Sequence, residues 1–505
     1  LELAVPSNDC VVFRDVTFRY DTAADSLFGA PLSLHLSSGY TGVVGPNGAG
    51  KTTLLLLATG GLAPERGLVR SPGEAVYCAQ RSDEPPEELT CFFAAQDAHA
   101  LLLRAELELD PRWAKRWDTL SHGERKRLQI AIALWRRPRL LALDEPTNHL
   151  DNAARALLMN ALREFHGVGL LVSHDRELLD GLCTRCLFLE PGGVTLRPGR
   201  YTDGRGEAER ERAALAHARE SVRRERERLE REVAVRRSKA ALADRLRSKR
   251  GLARKDHDAR GRKNLARVTG KDATAGRLLR QLEGRVRQTR GRESALRVEK
   301  VRSLGIWLPG ARSQRDRVAA LAAQTLRLGD GRELVVPELV VRPRDRVAIT
   351  GPNGAGKTSL LQRLNAQSPV PESRRIVLPQ ELDAGCGRRL LDEARSLARQ
   401  ELGFVMSVVS CLGSRPERLL ESTEPSPGEL RKLLLALGMR RQPELMLLDE
   451  PTNHLDLPSI ECLEEALDAC PCALVVVSHD RRLIERLART EWRIERGRLG
   501  LLPLW

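Results

Sequence analysis

The chain has 505 residues, enough to bury more than one core. No stretch approaches the roughly 18 to 20 uninterrupted apolar residues of a membrane-spanning helix, and the first residues lack the basic start and apolar run of a secretory signal, so a cytoplasmic protein that forms no pore by itself is expected. The formal net charge of +15 is uneven: residues 205–300 carry 31 Lys and Arg against 15 Asp and Glu, which leaves the remainder close to neutral.

The first informative segment is an apolar strand expected at 41–44, running into Gly45-Pro46-Asn47-Gly48-Ala49-Gly50-Lys51-Thr52, with Thr53 next. Glycines at this spacing let the backbone curl round a phosphate and aim successive N–H groups at it, at the positive end of the helix that follows. Lys51 suits the β/γ-phosphates and Thr52 a Mg²⁺ ion. Tyr20 is a lone aromatic just upstream. Ser121 and Glu124 have the spacing of a capping box and open a helix expected over 126–137, with Gly123 leaving room for close backbone approach. Further strands at 140–143 and 169–172 end at Asp144-Glu145 and Ser173-His174. A carboxylate at the first strand end suits metal ordering, and Glu145 behind it suits a general base that deprotonates an attacking water. Of ten cysteines, only Cys183 and Cys186 have metal-like spacing, so reduced thiols are expected rather than a zinc site.

The middle of the chain changes character. Leu215, Val222, Leu229, Val233, Leu242 and Leu246 trace a narrow apolar seam on one long helix, and Leu278, Leu282 and Val286 trace another, predicting an antiparallel hairpin. Between them, residues 247–271 hold ten basic side chains (Arg247, Lys249, Arg250, Arg254, Lys255, Arg260, Arg262, Lys263, Arg267 and Lys271) against two acidic ones. No aromatic residue occurs between Tyr201 and Trp307, so this basic tip predicts recognition of structured RNA by charge and shape rather than by base stacking.

The rest repeats the first part. Gly351-Pro352-Asn353-Gly354-Ala355-Gly356-Lys357-Thr358, with Ser359 next, follows a strand expected at 347–350, and Asp449-Glu450 and Ser478-His479 follow strands expected at 445–448 and 474–477. Ser121 to Asp144 and Ser426 to Asp449 are both 23 residues, and Asp144 to His174 and Asp449 to His479 are both 30. Such duplication predicts two α/β cassettes with doubly wound sheets, joined by a long basic helical hairpin, divided at 1–200, 201–304 and 305–505. The second half has no aromatic between Ala322 and Leu334.

The phosphate loops, Gln80 and Gln380, Ser121-His122-Gly123-Glu124 and Ser426-Pro427-Gly428-Glu429, Asp144-Glu145 and Asp449-Glu450, Asp151 and Asp456, and His174 and His479 stand in the order of ATP-binding-cassette ATPases. Glu-Pro-Thr-Asn-His-Leu-Asp and Ser-His-Asp-Arg in both halves resemble the ABC-F subfamily. The resemblance implies two ATP sites, each shared between halves: Lys51, Glu145 and His174 with Ser426 and Gly428, and Lys357, Glu450 and His479 with Ser121 and Gly123. It implies that Tyr20 stacks on adenine, with a residue such as Leu326 or Arg327 in that place in the second half, that His174 and His479 contact the γ-phosphate, that Gln80 and Gln380 sit near Mg²⁺ and the water, and that Thr358 and Asp449 repeat the metal role of Thr52 and Asp144. It further implies a monomer that works on the bacterial ribosome, its linker beside 23S rRNA and P-site tRNA near the peptidyl-transferase region, as a translation factor or as a protein that displaces antibiotics. Residues 255–258, 264–267, 269–271 and 305–309 look more like the resistance branch. His122 and Pro427 replace the signature's first glycine, and Pro425 its leucine. Two rivals are a transporter's ATPase pair and a DNA-repair ATPase, although in the latter the coiled coil would interrupt a cassette, whereas here it follows His174 and precedes Lys357.

Overall fold

The computed structural model describes residues 9–20, 26–148, 150–190, 193–247, 271–296, 310–329, 331–382, 384–414, 416–422 and 425–504. They form two compact units, one made of residues 1–204 with 304–505 and one of residues 205–303.

In the first unit each half builds a mixed sheet around a strand that feeds a phosphate loop. The sheet of the first half runs in the spatial order Ala75–Cys78, Leu140–Asp144, Val168–Val172, Gly39–Val44, Cys183–Glu190, Gly193–Pro198, parallel except for its last pair. Leu140–Asp144 and Val168–Val172 are buried along their whole length because helices cover both faces. Alternation sorts their side chains: Leu140, Ala142, Leu170 and Val172 join the core under helix Lys51–Thr59, while Leu141, Leu143 and Leu171 join the opposite core. A three-stranded antiparallel sheet, Leu32–Ser37, Cys10–Thr17, Arg66–Arg70, adds to the first of these cores.

The second half repeats the plan in an eight-stranded sheet, Gln324–Arg327, Glu333–Val336, Arg498–Pro503, Thr490–Glu495, Arg346–Thr350, Ala473–Val477, Leu445–Asp449, Arg375–Leu378. The central strand again pairs in parallel on both sides, so both phosphate loops leave the carboxyl end of a central strand, where open α/β sheets bind ligands. Leu457 of the second half is buried within a core cluster of the first, so the two halves share apolar packing.

The second unit is built from the helices Tyr201–Arg247 and Lys271–Ala295. Leu229, Val233 and Leu282 are buried between them, with Leu279 and Val286 partly so. Ion pairs Arg226–Glu293 at 2.7 Å, Arg290–Glu230 at 2.8 Å and Arg237–Glu283 at 2.6 Å fix an antiparallel register. The seam is shorter than its periodicity predicts. Leu215 and Leu278 are exposed, and Leu279 packs in place of Leu278 because it sits three and seven residues from Leu282 and Val286, on their face of the helix. Arg247 ends the first helix and Lys271 begins the second. Lys249, Arg250, Arg254, Lys255, Arg260, Arg262, Lys263 and Arg267 lie outside the described residues, as do 305–309.

Candidate functional site

Both phosphate loops have the backbone that their glycines predict. Gly48 and Gly50 have φ of 79° and 92°, and Gly354 and Gly356 of 73° and 97°, a left-handed conformation that side chains resist. Gly45 and Gly351 are required for another reason: a Cβ at either would fall 2.4 Å from the Leu189 carbonyl oxygen or 2.7 Å from that of Ile494. Lys51 Nζ donates to the carbonyls of Gly45 and Pro46 at 2.8 and 3.1 Å, and Lys357 Nζ to those of Gly351 and Pro352 at 2.7 and 3.0 Å. Both lysines are buried, which lowers their pKa despite the neighbouring carboxylates Glu145 and Glu450.

Each loop threonine meets its strand-end aspartate: Thr52 Oγ1 donates to Asp144 Oδ2 and Thr358 Oγ1 to Asp449 Oδ2, both at 2.7 Å. A hydroxyl and a carboxylate oxygen at this spacing fit a hard cation that completes its shell with water and phosphate. Among the described residues no group of three or more His, Cys, Asp or Glu could hold a metal by itself.

Glu145 and Glu450 follow with φ of 47° and 46°. Non-glycine residues in this region are strained and cluster at functional positions. The turn points each carboxylate at the next strand's end, so that Oε2 accepts from the backbone N–H of His174 at 3.1 Å and of His479 at 3.4 Å. The other oxygen, Oε1, is buried in both glutamates with no hydrogen-bond partner, 3.1 Å from His174 Nε2 and 3.6 Å from His479 Nε2. An acceptor kept in this way fits a water molecule poised for attack. Burial pushes Glu145 up to about 8 and Glu450 up to about 7, while burial, reinforced by Lys51 and Lys357, pulls His174 and His479 down to about 3. The histidines are therefore neutral at physiological pH.

The signature segments form as capping boxes. Ser121 and Ser426 accept from the N–H of Glu124 and Glu429, whose carboxylates return to Ser121 N at 2.8 Å and Ser426 N at 3.0 Å. The helices they open, His122–Trp135 and Pro427–Arg440, begin four residues before the apolar periodicity, because the cap and not the first leucine sets the start.

The two halves then meet through these parts. A cavity of about 480 Å³ is lined by Asn353, Gly354, Gly356, Lys357, Thr358, Ser359, Gln380, Asp449, Glu450 and His479 of the second half and by Ser121, His122 and Gly123 of the first. A larger one of about 800 Å³ brings Asn47, Gly48, Gln80, Glu145 and His174 to Ser426, Pro427 and Gly428. Lys51, Thr52, Thr53, Tyr20 and Asp144 are not on the lining of this larger cavity, and Glu124 and Glu429 line neither. Asp456 Oδ2 accepts from the backbone N–H of Asn47 at 2.7 Å and Asp151 Oδ2 from that of Asn353 at 3.2 Å. Each aspartate also caps its own helix through Oδ1.

Tyr20 shares a 2.8 Å hydrogen bond with Thr53 and packs edge-on against Phe18, leaving it half exposed. In the second half, Leu326 and Arg327 do not take the corresponding place. Leu326 is a core residue and Arg327 points outward, paired with Glu333, whereas Leu328, Gly329 and Arg332 line the cavity. Strand alternation explains the miss, since Leu326 faces the core by the same pattern that turns Arg327 away.

Sequence reasoning also missed the buried cations Lys126 and Arg431, five residues past each cap serine. Lys126 Nζ reaches the carbonyls of Gln80 at 3.3 Å and Asp144 at 3.4 Å, and Arg431 those of Gln380 at 3.1 Å, Asp449 at 3.1 Å and Glu450 at 2.9 Å. They tie each signature helix to its own strand ends. Their signal in the sequence was a charge at matching positions on an otherwise buried helix face.

Residues 30–148 and 337–453 each match the family model described as ABC transporter. Among similar proteins are the tylosin resistance ATP-binding protein TlrC of Streptomyces fradiae (31% identical, over 95% of this chain and 96% of TlrC), the ribosome protection protein VmlR of Bacillus subtilis (28%, over 89% and 80%) and the erythromycin resistance ATP-binding protein MsrA of Staphylococcus epidermidis (26%, over 90% and 91%). Solved structures of similar fold include the archaeal ribosome recycling factor aABCE1 in complex with the stalk protein aP1 (19% identical, TM-score 0.63, covering 97% of this chain and 90% of that one) and RNase-L Inhibitor (18%, 0.62, 97% and 91%). At these identities the structural likeness concerns the fold alone. No helix among the described residues is long and apolar enough to cross a membrane. With two cassettes in one polypeptide and a relative more than 30% identical along nearly its whole length, the chain belongs to the ABC-F family of ATP-binding-cassette ATPases.

Proposed function

We propose that the protein binds the bacterial ribosome in an ATP-dependent manner in the cytoplasm, and protects it from antibiotics by placing its basic arm near P-site tRNA and the peptidyl-transferase region. The observation that carries this reading is the pairing of two composite sites, each assembled only when the halves meet, with an arm region whose net charge is +16. The names of TlrC, VmlR and MsrA, which speak of resistance and ribosome protection, support the same reading. The tip residues Arg247 to Lys271 are the proposed contact with RNA phosphates. Neutralising several of them should weaken binding and flatten its salt dependence.

In the cycle, ATP bridges the phosphate loop of one half and the capped serine of the other, so the closed form is favoured through differential affinity. Glu145 and Glu450 align and deprotonate the attacking water, with carboxyls raised close to the working pH, as suits a base. Neutral His174 and His479 orient it. Thr52 with Asp144, and Thr358 with Asp449, would hold Mg²⁺, with Gln80 and Gln380 alongside. When bound, that ion offsets charge on the phosphate oxygens. Hydrolysis reopens the halves and releases the arm.

The test is sedimentation of the Glu145→Gln, Glu450→Gln variant with purified bacterial ribosomes, with ATP and without nucleotide. ATP-dependent pelleting is expected. Absence of pelleting would remove the ribosome from the proposal.

A further inference from the structure

The two sites repeat each other closely, yet one cation breaks the symmetry. Arg155 lies four residues past Asp151, on the helix Asn152–Arg163 of the first half. Its Nη1 donates to the backbone carbonyl of His479 in the second half at 3.1 Å and lies 3.6 Å from Oδ2 of Asp175, the residue after His174. The side chain is three-quarters buried and borders both cavities. One guanidinium thus touches the histidine turns of both halves. The position four residues past Asp456 is Ile460, which is buried among the apolar side chains of the second half and offers no cation to the His174 turn.

The consequence is geometric. The Glu450 carboxylate is held by the backbone N–H of His479, and the same residue's carbonyl is held by Arg155. A planar, permanently charged donor between a carbonyl and a carboxylate has little freedom to relax without moving one of them. The His174 turn holds Glu145 through the same N–H contact, and among the described residues it has no counterpart of this strut.

We propose that Arg155 is a positioning residue for ATP hydrolysis at the site built on Lys357 and Glu450, acting from the opposite half through His479, and that it makes the two sites unequal. The proposal rests on hydrolysis at both sites. It predicts that the Lys357 site reaches its working geometry only when the first half is docked, whereas at the Lys51 site Arg155 meets the Asp175 side chain and holds neither the His174 backbone nor Glu145.

The experiment compares ATP turnover in two parents, Glu145→Gln, which leaves the Lys357 site, and Glu450→Gln, which leaves the Lys51 site. Arg155→Ile, the residue the other half carries, should lower kcat in the first parent by roughly ten- to a hundred-fold, the scale of a misplaced catalytic group, with KM for ATP little changed. In the second parent, where Arg155 touches only the Asp175 side chain, the loss of kcat should be at least roughly five-fold smaller than in the first. Arg155→Lys keeps the charge and should recover most of the loss, which a damaged fold would not. Equal losses in both parents, a change in KM alone, or no loss in the first parent would overturn the proposal. A Glu145→Gln parent that is itself inactive would remove the Lys357 site from hydrolysis, and the proposal with it.

Discussion

The docking of the two halves rests on a buried ion pair whose contribution can be measured. Arg176, in the Ser-His-Asp-Arg segment of the first half, faces Glu464 of the second through both guanidinium nitrogens, one at 3.1 Å from Oε2. Their side chains are 8% and 4% exposed. Removing one partner of such a pair leaves an uncompensated buried charge, which costs about 3 to 5 kcal/mol. Here the survivor keeps a weaker neighbour: Arg176 has Asp480 at 3.4 Å, and Glu464 has Arg486 at 3.6 Å. The lower end, about 3 kcal/mol, is therefore expected for Arg176→Met or Glu464→Met alone. Replacing both with methionine removes the two charges together and should return stability to within about 1 kcal/mol of the parent. Methionine is a natural choice, since Met159 occupies the position in the first half that Glu464 holds in the second, eight residues past the aspartate in each. Urea unfolding followed by tryptophan fluorescence on the four chains closes a double-mutant cycle, with an expected coupling of about 5 kcal/mol. Two small and additive single effects would refute the reasoning and make the pair a bystander of apolar docking around Leu457.

Other consequences follow from single contacts. Gly428→Ala would place a Cβ 2.5 Å from the backbone carbonyl of His454, so the start of the second signature helix must shift. ATP turnover should fall at least roughly ten-fold with helix content unchanged, and an unaltered kcat would count against a close approach at this glycine. Tyr20→Phe removes only the bond to Thr53, worth about 1 kcal/mol. Tyr20→Ala removes the ring, so in fluorescent-nucleotide titrations it should weaken binding clearly more than Tyr20→Phe, and equal effects would discard the stack. The carboxyls of Glu145 and Glu450 titrate near 8 and 7 in the fold and near 4.5 when unfolded, so above pH 6.5 the native state binds more protons and stability falls as pH rises. The lowered histidines act in the opposite sense only below about 6.5 and leave that window clean. Nucleotide-free Glu145→Gln, Glu450→Gln protein should lose less stability than the parent between pH 6.5 and about 8, and parallel curves would contradict the burial argument.

Much of this arrangement was legible because the chemistry lies in short segments at the ends of continuous apolar runs. The strands ending at Val44, Asp144 and Asp449 come within one or two residues of their expected limits, because burial on both faces demands apolar side chains until the ligand side begins. The capping boxes were equally readable, since Ser and Glu three apart satisfy each other locally. Contacts formed between distant segments left no such pattern. Nothing in the sequence around Lys126 and Arg431 marks them as buried, but in the fold each is buried against carbonyls that only the tertiary arrangement supplies. Arg332 is another such contact: the turn after Arg327 brings it to Gly354, whose carbonyl it bonds at 2.8 Å. Arm registry escaped for a different reason: where both faces of a helix carry charge, a leucine at the right interval is not compelled to be buried, as Leu215 shows.

The differences between the halves are not scattered at random over the repeat. The phosphate-loop residues, Asp144 and Asp449, and Glu145 and Glu450 keep both identity and geometry, down to the positive φ of the two glutamates; the strand-end histidines keep identity, but His174 Nε2 lies 3.1 Å from Glu145, whereas His479 Nε2 lies 3.1 Å from Lys357 Nζ and 3.6 Å from Glu450. Divergence falls instead on residues around the contact between the halves or at the proposed base position: Arg155 opposite Ile460, Arg176 buried while Arg481 is exposed and pairs with Glu485, Met159 opposite Glu464, and Tyr20 opposite the Leu328 and Arg332 wall. A tandem protein in one chain need not present identical surfaces to itself, as a symmetric dimer must. Each half can therefore specialise its side of the contact while the reacting groups stay fixed, and an Arg can be supplied once, from one side, to a groove that exists twice. The same freedom allows closure at one site to be coupled to the other through Arg155 and Asp175 with no change in the residues that meet the phosphates.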